Sequence, residues 1–149
     1  MFLNTSYEIL INGIGAAILA QLLKFIGHFF KTKKFDFEVL ATTGGMPSAH
    51  TAGVIALSTT VGFIYGFDDP IFAIALGYAL VVMYDAAGLR RSTGKIAACL
   101  NKICDEVYSQ GQMQPERLKE LLGHTPVEVF GGAILGAIIA FINHFYLFQ

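Results

Sequence analysis

Charge is what this chain has least of. Only 14% of its 149 residues are Asp, Glu, Lys or Arg, against 54% hydrophobic, and its mean hydropathy is +0.58. A soluble globule carries more polar surface than that, so the composition points to a bilayer as the solvent. The few charges nearly cancel, ten basic against eleven acidic, which removes the broad basic field that nucleic-acid binding needs. Cysteine is scarcer still. Cys99 and Cys104 stand five apart in a polar stretch with helical spacing, form no metal-ligand pattern with the histidines, and read as free thiols of a reducing compartment. No basic segment precedes the first apolar run, which is too long for the core of a cleavable signal and reads as a span. The length suits a single domain, residues 1–149.

Apolar sequence is abundant. Four runs cover about 8–30, 48–67, 70–89 and 126–148, each close to the ~20 residues a helix needs to cross a hydrocarbon core. Lys31, Lys33 and Lys34 fall between the first two runs. Arg90, Arg91, Lys95, Lys102, Arg117 and Lys119 fall between the last two. The link between the second and third runs holds Asp68 and Asp69 and no base, and neither terminus holds Lys or Arg. This segregation makes the basic loops cytoplasmic and puts both termini outside the cell membrane. The expected fold is an all-α integral membrane protein: an antiparallel bundle of four transmembrane helices plus an interfacial amphipathic helix between spans three and four. In that helix, from about Ser92 to Val107, Ile96, Leu100, Ile103 and Val107 recur at helical intervals among polar residues. A turn over 109–112 and a second short helix over 115–122 follow. Gly132 and Gly136 make a small-xxx-small step that permits close helix contact.

The polar residues inside or beside these runs are few enough to weigh singly. Thr42-Thr43-Gly44-Gly45-Met46-Pro47-Ser48-Ala49-His50-Thr51 combines glycines, a hydroxyl and an imidazole where an apolar run begins. Glycine-rich backbone opening into a helix offers N–H donors and partial positive charge to an anion; a plain turn before a proline-initiated helix is the other reading. Lys24, His28 and Lys31 share a stripe at i, i+4 and i+7. Lys24 lies about two turns inside its run, where a charge needs a polar cavity, a partner, or a stem that snorkels to the headgroups. Asp85 precedes Arg90 and Arg91, either as a salt bridge or as a holder for an arginine that grips phosphate. His124 and Glu128 are i, i+4 neighbours, so the carboxylate could orient a histidine that attacks phosphorus. The same Glu128 completes a Thr125-x-x-Glu128 capping box with Pro126 at the first helical position. One carboxylate would then divide itself between two tasks. In the alternating topology every one of these residues lands at a cytoplasmic helix end.

Pro47-Ser48-Ala49-His50 resembles the P-S-G-H motif of the type 2 phosphatidic acid phosphatase and vanadium haloperoxidase superfamily. His124-x3-Glu128 resembles the end of its S-R-x5-H-x3-D motif, and Lys24-x6-Lys31 its K-x6-R-P motif. Together with Tyr84-Asp85-Ala86-Ala87-Gly88-Leu89-Arg90-Arg91 and Leu122-Gly123-His124-Thr125-Pro126, the chain looks like the small divergent branch of that superfamily, from about Lys24 to Gly136. The resemblance implies that His124 attacks phosphorus to form a phosphohistidine, with Glu128 orienting it and His50 protonating the leaving oxygen. Lys24, Lys31, Gly45, Ser48 and an arginine placed by Asp85, Arg90 or Arg91, would hold the phosphate oxygens. No metal and no cofactor enter, since side chains and backbone neutralise the charge. Ala49 stands where the motif has glycine, Glu128 where it has Asp, and Lys31 where it has Arg without the proline. Arg117 precedes His124 by seven residues and Lys119 by five, so neither occupies the S-R register. Four spans stand against six in the main branch, so a homodimer would complete the cavity. The implied activity is hydrolysis of a lipid phosphate or pyrophosphate at the cytoplasmic face: isoprenyl phosphate, phosphatidic acid or phosphatidylglycerophosphate. The alternative is a non-catalytic lipid-phosphate binding or transport protein.

Overall fold

A computed structural model describes residues 5–35, 45–107, 118 and 123–147, without the side chains of residues 5, 89–91 and 107. The expected turn over 109–112, the short helix over 115–122 apart from Leu118, and Arg117 and Lys119 lie outside the described residues. Five helices follow in order: α1 (Thr5–Thr32), α2 (Ala49–Tyr65), α3 (Pro70–Ala87), α4 (Leu89–Val107) and α5 (Pro126–Tyr146). Their boundaries are written locally. The Ser48 side chain caps α2 by accepting from the Thr51 N–H, and Gly66 closes it at φ 103° with its N–H on the Gly62 carbonyl. Asp69 caps α3 by accepting from the Ile71 N–H, with Pro70 in the first turn. Gly88 is the single residue that separates α3 from α4.

Segments 6–32, 70–106 (which includes α4) and 126–146 hold three helices long and apolar enough to cross a membrane. α2 is shorter. The run expected to span over 48–67 is a 17-residue helix, about 25 Å at 1.5 Å per residue. It is also the central helix, packed against α1, α3 and α5, so protein and not lipid surrounds most of its length.

The interior is small and polar and the exterior is apolar. On α1 the buried positions step by four through Glu8, Asn12, Ala16, Ala20 and Lys24; on α2 through Ser48, Ala52, Ala56 and Thr60; on α5 through Gly132, Gly136 and Ala140. The first two stripes have small residues at their middle and polar residues at their ends, and the α5 stripe is small throughout. The largest fully buried side chains are all polar, whereas Ile14, Ile74, Val81 and Phe130 are exposed. That distribution suits a lipid solvent, in which helices associate through close backbone approach and not through exclusion of oil from water. α5 lies against α2 so tightly that a Cβ on Gly132 would stand 2.5 Å from the Ser48 carbonyl oxygen, and one on Gly136 would collide with the Ala52 carbonyl.

At the end of the bundle remote from His124, a hydrogen-bond chain links three helices. Asn143 Nδ2 donates to Asn12 Oδ1 at 2.7 Å, Asn12 Nδ2 to Thr60 Oγ1 at 2.9 Å, and Thr60 Oγ1 to the Ala56 carbonyl at 2.7 Å. His144 Nδ1 meets Glu8 Oε1 at 2.8 Å beside it, and the His144 ring stacks on Phe63. Asn12→Ala removes the middle of this chain and strands its neighbours, a loss of about 1–2 kcal/mol. Denaturation in detergent checks it: the same change made in an Asn143→Ala background should lose less, and additive losses would mean that the two amides do not couple.

Candidate functional site

The opposite end collects residues from α1, α2, α3 and α5 and from the turns beside them. The Lys24 stem runs beneath Gly45. A Cβ there would stand 3.2 Å from Lys24 Cδ and 3.3 Å from Cγ, and Gly45 sits at φ 91°, where a side chain is strained in any case. Lys24 is 7% exposed, so it does not snorkel out to solvent. Its charge acts on both Glu128 and His124.

Ser48 enters next and is fully buried. Its N–H donates to the Glu128 carbonyl at 3.0 Å, which ties the start of α2 to the first turn of α5. Its hydroxyl accepts from the Thr51 N–H at 3.4 Å and from Thr51 Oγ1 at 3.1 Å, leaving its own proton to give. The first N–H groups of α2 at Ala49 and His50 precede the residues that can bond within the helix, so they too face this end.

His124 is the centre of the site. It is 2% exposed, and its N–H donates to the Ala86 carbonyl at 3.0 Å, so the end of α3 fixes the backbone that carries the ring. Nδ1 meets Glu128 Oε2 at 3.1 Å, and Thr125 N–H donates to the same oxygen at 3.1 Å while the Glu128 N–H donates to Thr125 Oγ1 at 3.3 Å. The capping box and the imidazole contact therefore coexist, served by one carboxylate oxygen. The competition expected between those tasks does not occur, because the cap brings Oε2 to the position the ring needs. With Nδ1–H given to Glu128, Nε2 carries the lone pair; by distance and angle no hydrogen bond reaches this buried atom among the described residues, although the Gly45 carbonyl is near enough to the ring to favour its protonated form. Burial pushes the imidazole below its ordinary value, and the Lys24 charge pushes the same way. The Glu128 hydrogen bond, its charge and the Gly45 carbonyl oppose them. The net direction is down, so the ring is neutral at pH 7.

His50, exposed on the first turn of α2, lies with its ring centre 6.4 Å from that of His124 at an interplanar angle of 64°. The fold thus brings His124, Glu128, His50, Ser48, Gly45 and Lys24 together. Lys31 is exposed in the last turn of α1, two helical turns beyond Lys24. Asp85 is half-buried beside Ala86. The side chains of Arg90 and Arg91 lie outside the described residues. Sequence reasoning missed the Ala86 carbonyl, a backbone group without a sequence signal, and the Asn12–Asn143–Thr60 chain, whose members are far apart in the sequence. Asn12, one and two turns ahead of Ala16 and Ala20 on the same stripe, was the available signal. Cys99 and Cys104 are free thiols.

Comparison with known proteins gives the family. The model of a family described as the divergent PAP2 family matches residues 5–139. A relative in Bacillus subtilis (strain 168), named as the uncharacterized membrane protein YuiD, is 35% identical over 157 residues, covering 98% of this chain and 99% of its own length. No solved structure matches.

Proposed function

The chain belongs to the divergent PAP2 family of membrane proteins, and on that premise we propose that it is a phosphatase acting on a lipid phosphate or pyrophosphate through a phosphohistidine at His124. The observation that carries the proposal is the buried, unpartnered Nε2 of a histidine whose Nδ1 is held by Glu128. Nε2 attacks phosphorus in line with the leaving oxygen, which takes its proton from His50; water then hydrolyses the phosphohistidine and releases phosphate. Lys24, Ser48 and the first N–H groups of α2 neutralise charge on the phosphoryl oxygens. Asp85, Arg90 and Arg91 are proposed to complete that neutralisation from the α3–α4 junction, with Lys31 at the approach. All four apolar helices cross the bilayer, with both termini outside and the His124 end cytoplasmic, and α4 lies at the interface. Backbone contact closes the α1–α2–α5 seam, which disfavours passage of a headgroup along it and favours hydrolysis over transport.

The test is a screen of lipid phosphates with the purified protein, with vanadate as competitor. Phosphate release inhibited by vanadate is expected; lipid binding without any release would leave the binding-protein reading. Topology is checked by labelling single cysteines on a background lacking Cys99 and Cys104. A thiol at Lys33 should react only from inside and one at Asp68 only from outside, and the reverse pattern would turn the site outward.

Glu128→Gln separates charge from capping. Glutamine can keep both hydrogen bonds to Oε2 but not the charge that holds the His124 ring up. Protonation of His124 removes the attacking lone pair, so activity falls as the pH drops through the ring's depressed value. Losing Glu128's charge moves that acid limb to still lower pH and lowers kcat. An unmoved limb and normal kcat would make Glu128 a cap alone.

A further inference from the structure

Helix α4 has one face that the body of the protein covers and one that it does not. Gly94, Ala97 and Asn101, at i, i+3 and i+7, are buried. Ile96, Leu100 and Ile103, at i, i+4 and i+7, are 60%, 44% and 49% exposed. Lys95 and Lys102 flank that apolar stripe and are exposed. The whole helix carries four basic residues against two acidic ones, Asp105 and Glu106. It begins one residue after the apolar α3 ends, so its stripe starts beside the end of α3. That is the His124 end of the bundle, since Ala86 accepts from the His124 N–H. The last turn of α1 reaches the same end with exposed Lys31, Lys33, Lys34, Phe30 and Phe35. An apolar stripe bordered by lysines, continuous with a membrane-facing surface and on its basic side, fits the headgroup region of a leaflet with negative charge.

The buried face carries a second contact. Asn101, 6% exposed, clamps the backbone of Leu118 at both ends of its amide: Asn101 Nδ2 donates to the Leu118 carbonyl at 2.8 Å, and the Leu118 N–H donates to Asn101 Oδ1 at 3.0 Å. Leu118 stands six residues ahead of His124. The clamp joins α4 to Leu118, which precedes the proposed nucleophile in the sequence.

We propose that the outward face of α4 docks on an anionic lipid leaflet and that the Asn101–Leu118 clamp makes this docking set the position of His124. Docking stands apart from the phosphatase reading; its effect on rate rests on it. Asn101 is a positioning residue, because it touches Leu118 and not the reacting atoms.

The test uses the full chain in vesicles of phosphatidylcholine, alone or with phosphatidylglycerol in equal parts, with Cys99 and Cys104 replaced by serine. A spin label on Leu100→Cys should be shielded from an aqueous relaxant in the anionic vesicles, while one on Asp105→Cys should stay accessible. Lys95→Gln and Lys102→Gln should each lower the docked-to-undocked ratio roughly fivefold in anionic vesicles and leave it unchanged in neutral ones. A water-exposed label at Leu100 in anionic vesicles overturns the proposal, as does dipolar coupling between Leu100 labels of two copies, which would make the stripe a dimer contact. Asn101→Ala should keep the label depth yet lower kcat about tenfold or more with KM unchanged, as displacement of a catalytic group does. Normal kcat in Asn101→Ala overturns the link to His124. If the wild-type protein releases no phosphate, the phosphatase reading and the effect on rate fall together, while the label depths still decide the docking.

Discussion

Replacing His124 by alanine is expected to lower phosphate release by about 10³-fold or more while lipid-phosphate binding stays largely intact. In the proposed mechanism the ring contributes the attacking lone pair, and Lys24, Ser48 and the α2 N-terminus, which would hold the anion, remain. The His124 N–H bond to the Ala86 carbonyl is a backbone contact that alanine keeps, so the segment retains its anchor. His124→Asn, which offers polar atoms but no nucleophilic nitrogen, should behave the same and guards against a folding defect in the first variant. Lys24→Met should instead weaken binding and rate together, because its charge acts on ground and transition states alike. His50→Ala should slow poor leaving groups most, by about 10²–10⁴-fold. Turnover at the wild-type rate in His124→Ala, measured as released phosphate, would end the phosphohistidine mechanism.

Gly136→Val is expected to destabilise the bundle by about 3 kcal/mol or more, at the upper end of what overpacking produces. A Cβ at this position meets the Ala52 carbonyl and stands 3.0 Å from the Ala56 backbone nitrogen. Backbone atoms of a packed helix cannot swing aside as a side chain would, so α5 must move away from α2. Because Ser48 and Glu128 are joined across the same contact, that movement also spreads the site. Gly77→Ala is the control. Nothing lies within 4 Å of a Cβ there, and alanine should be neutral or stabilise α3 by up to about 1 kcal/mol. Equal denaturation midpoints for the two variants in detergent would show that the α2–α5 contact does not limit stability.

The sequence by itself determined that the solvent is a bilayer, that the chain is helical, and where most helices start and stop. These are local properties: apolar runs near the thickness of a membrane, a serine, aspartate or threonine at the N-caps of α2, α3 and α5, glycine at a turn. Ordered motifs, Lys24 to Lys31, Pro47 to His50 and His124 to Glu128, also made the family legible. The tertiary structure decided the rest. The sequence left open whether Glu128 caps a helix or orients a ring, because a spacing of four permits both and only placement shows one oxygen reaching Thr125 N–H and His124 Nδ1 together. It left open whether Lys24 snorkels, because burial depends on the Gly45 turn folding over the stem. It gave no sign that α2, the shortest apolar helix, is the central one, since enclosure is a property of neighbours. Nor could it announce that Asn12, Thr60 and Asn143 share one hydrogen-bonded chain. Residues that far apart in sequence meet only where small side chains let three backbones come within reach, and that proximity is set by packing, which no single segment encodes.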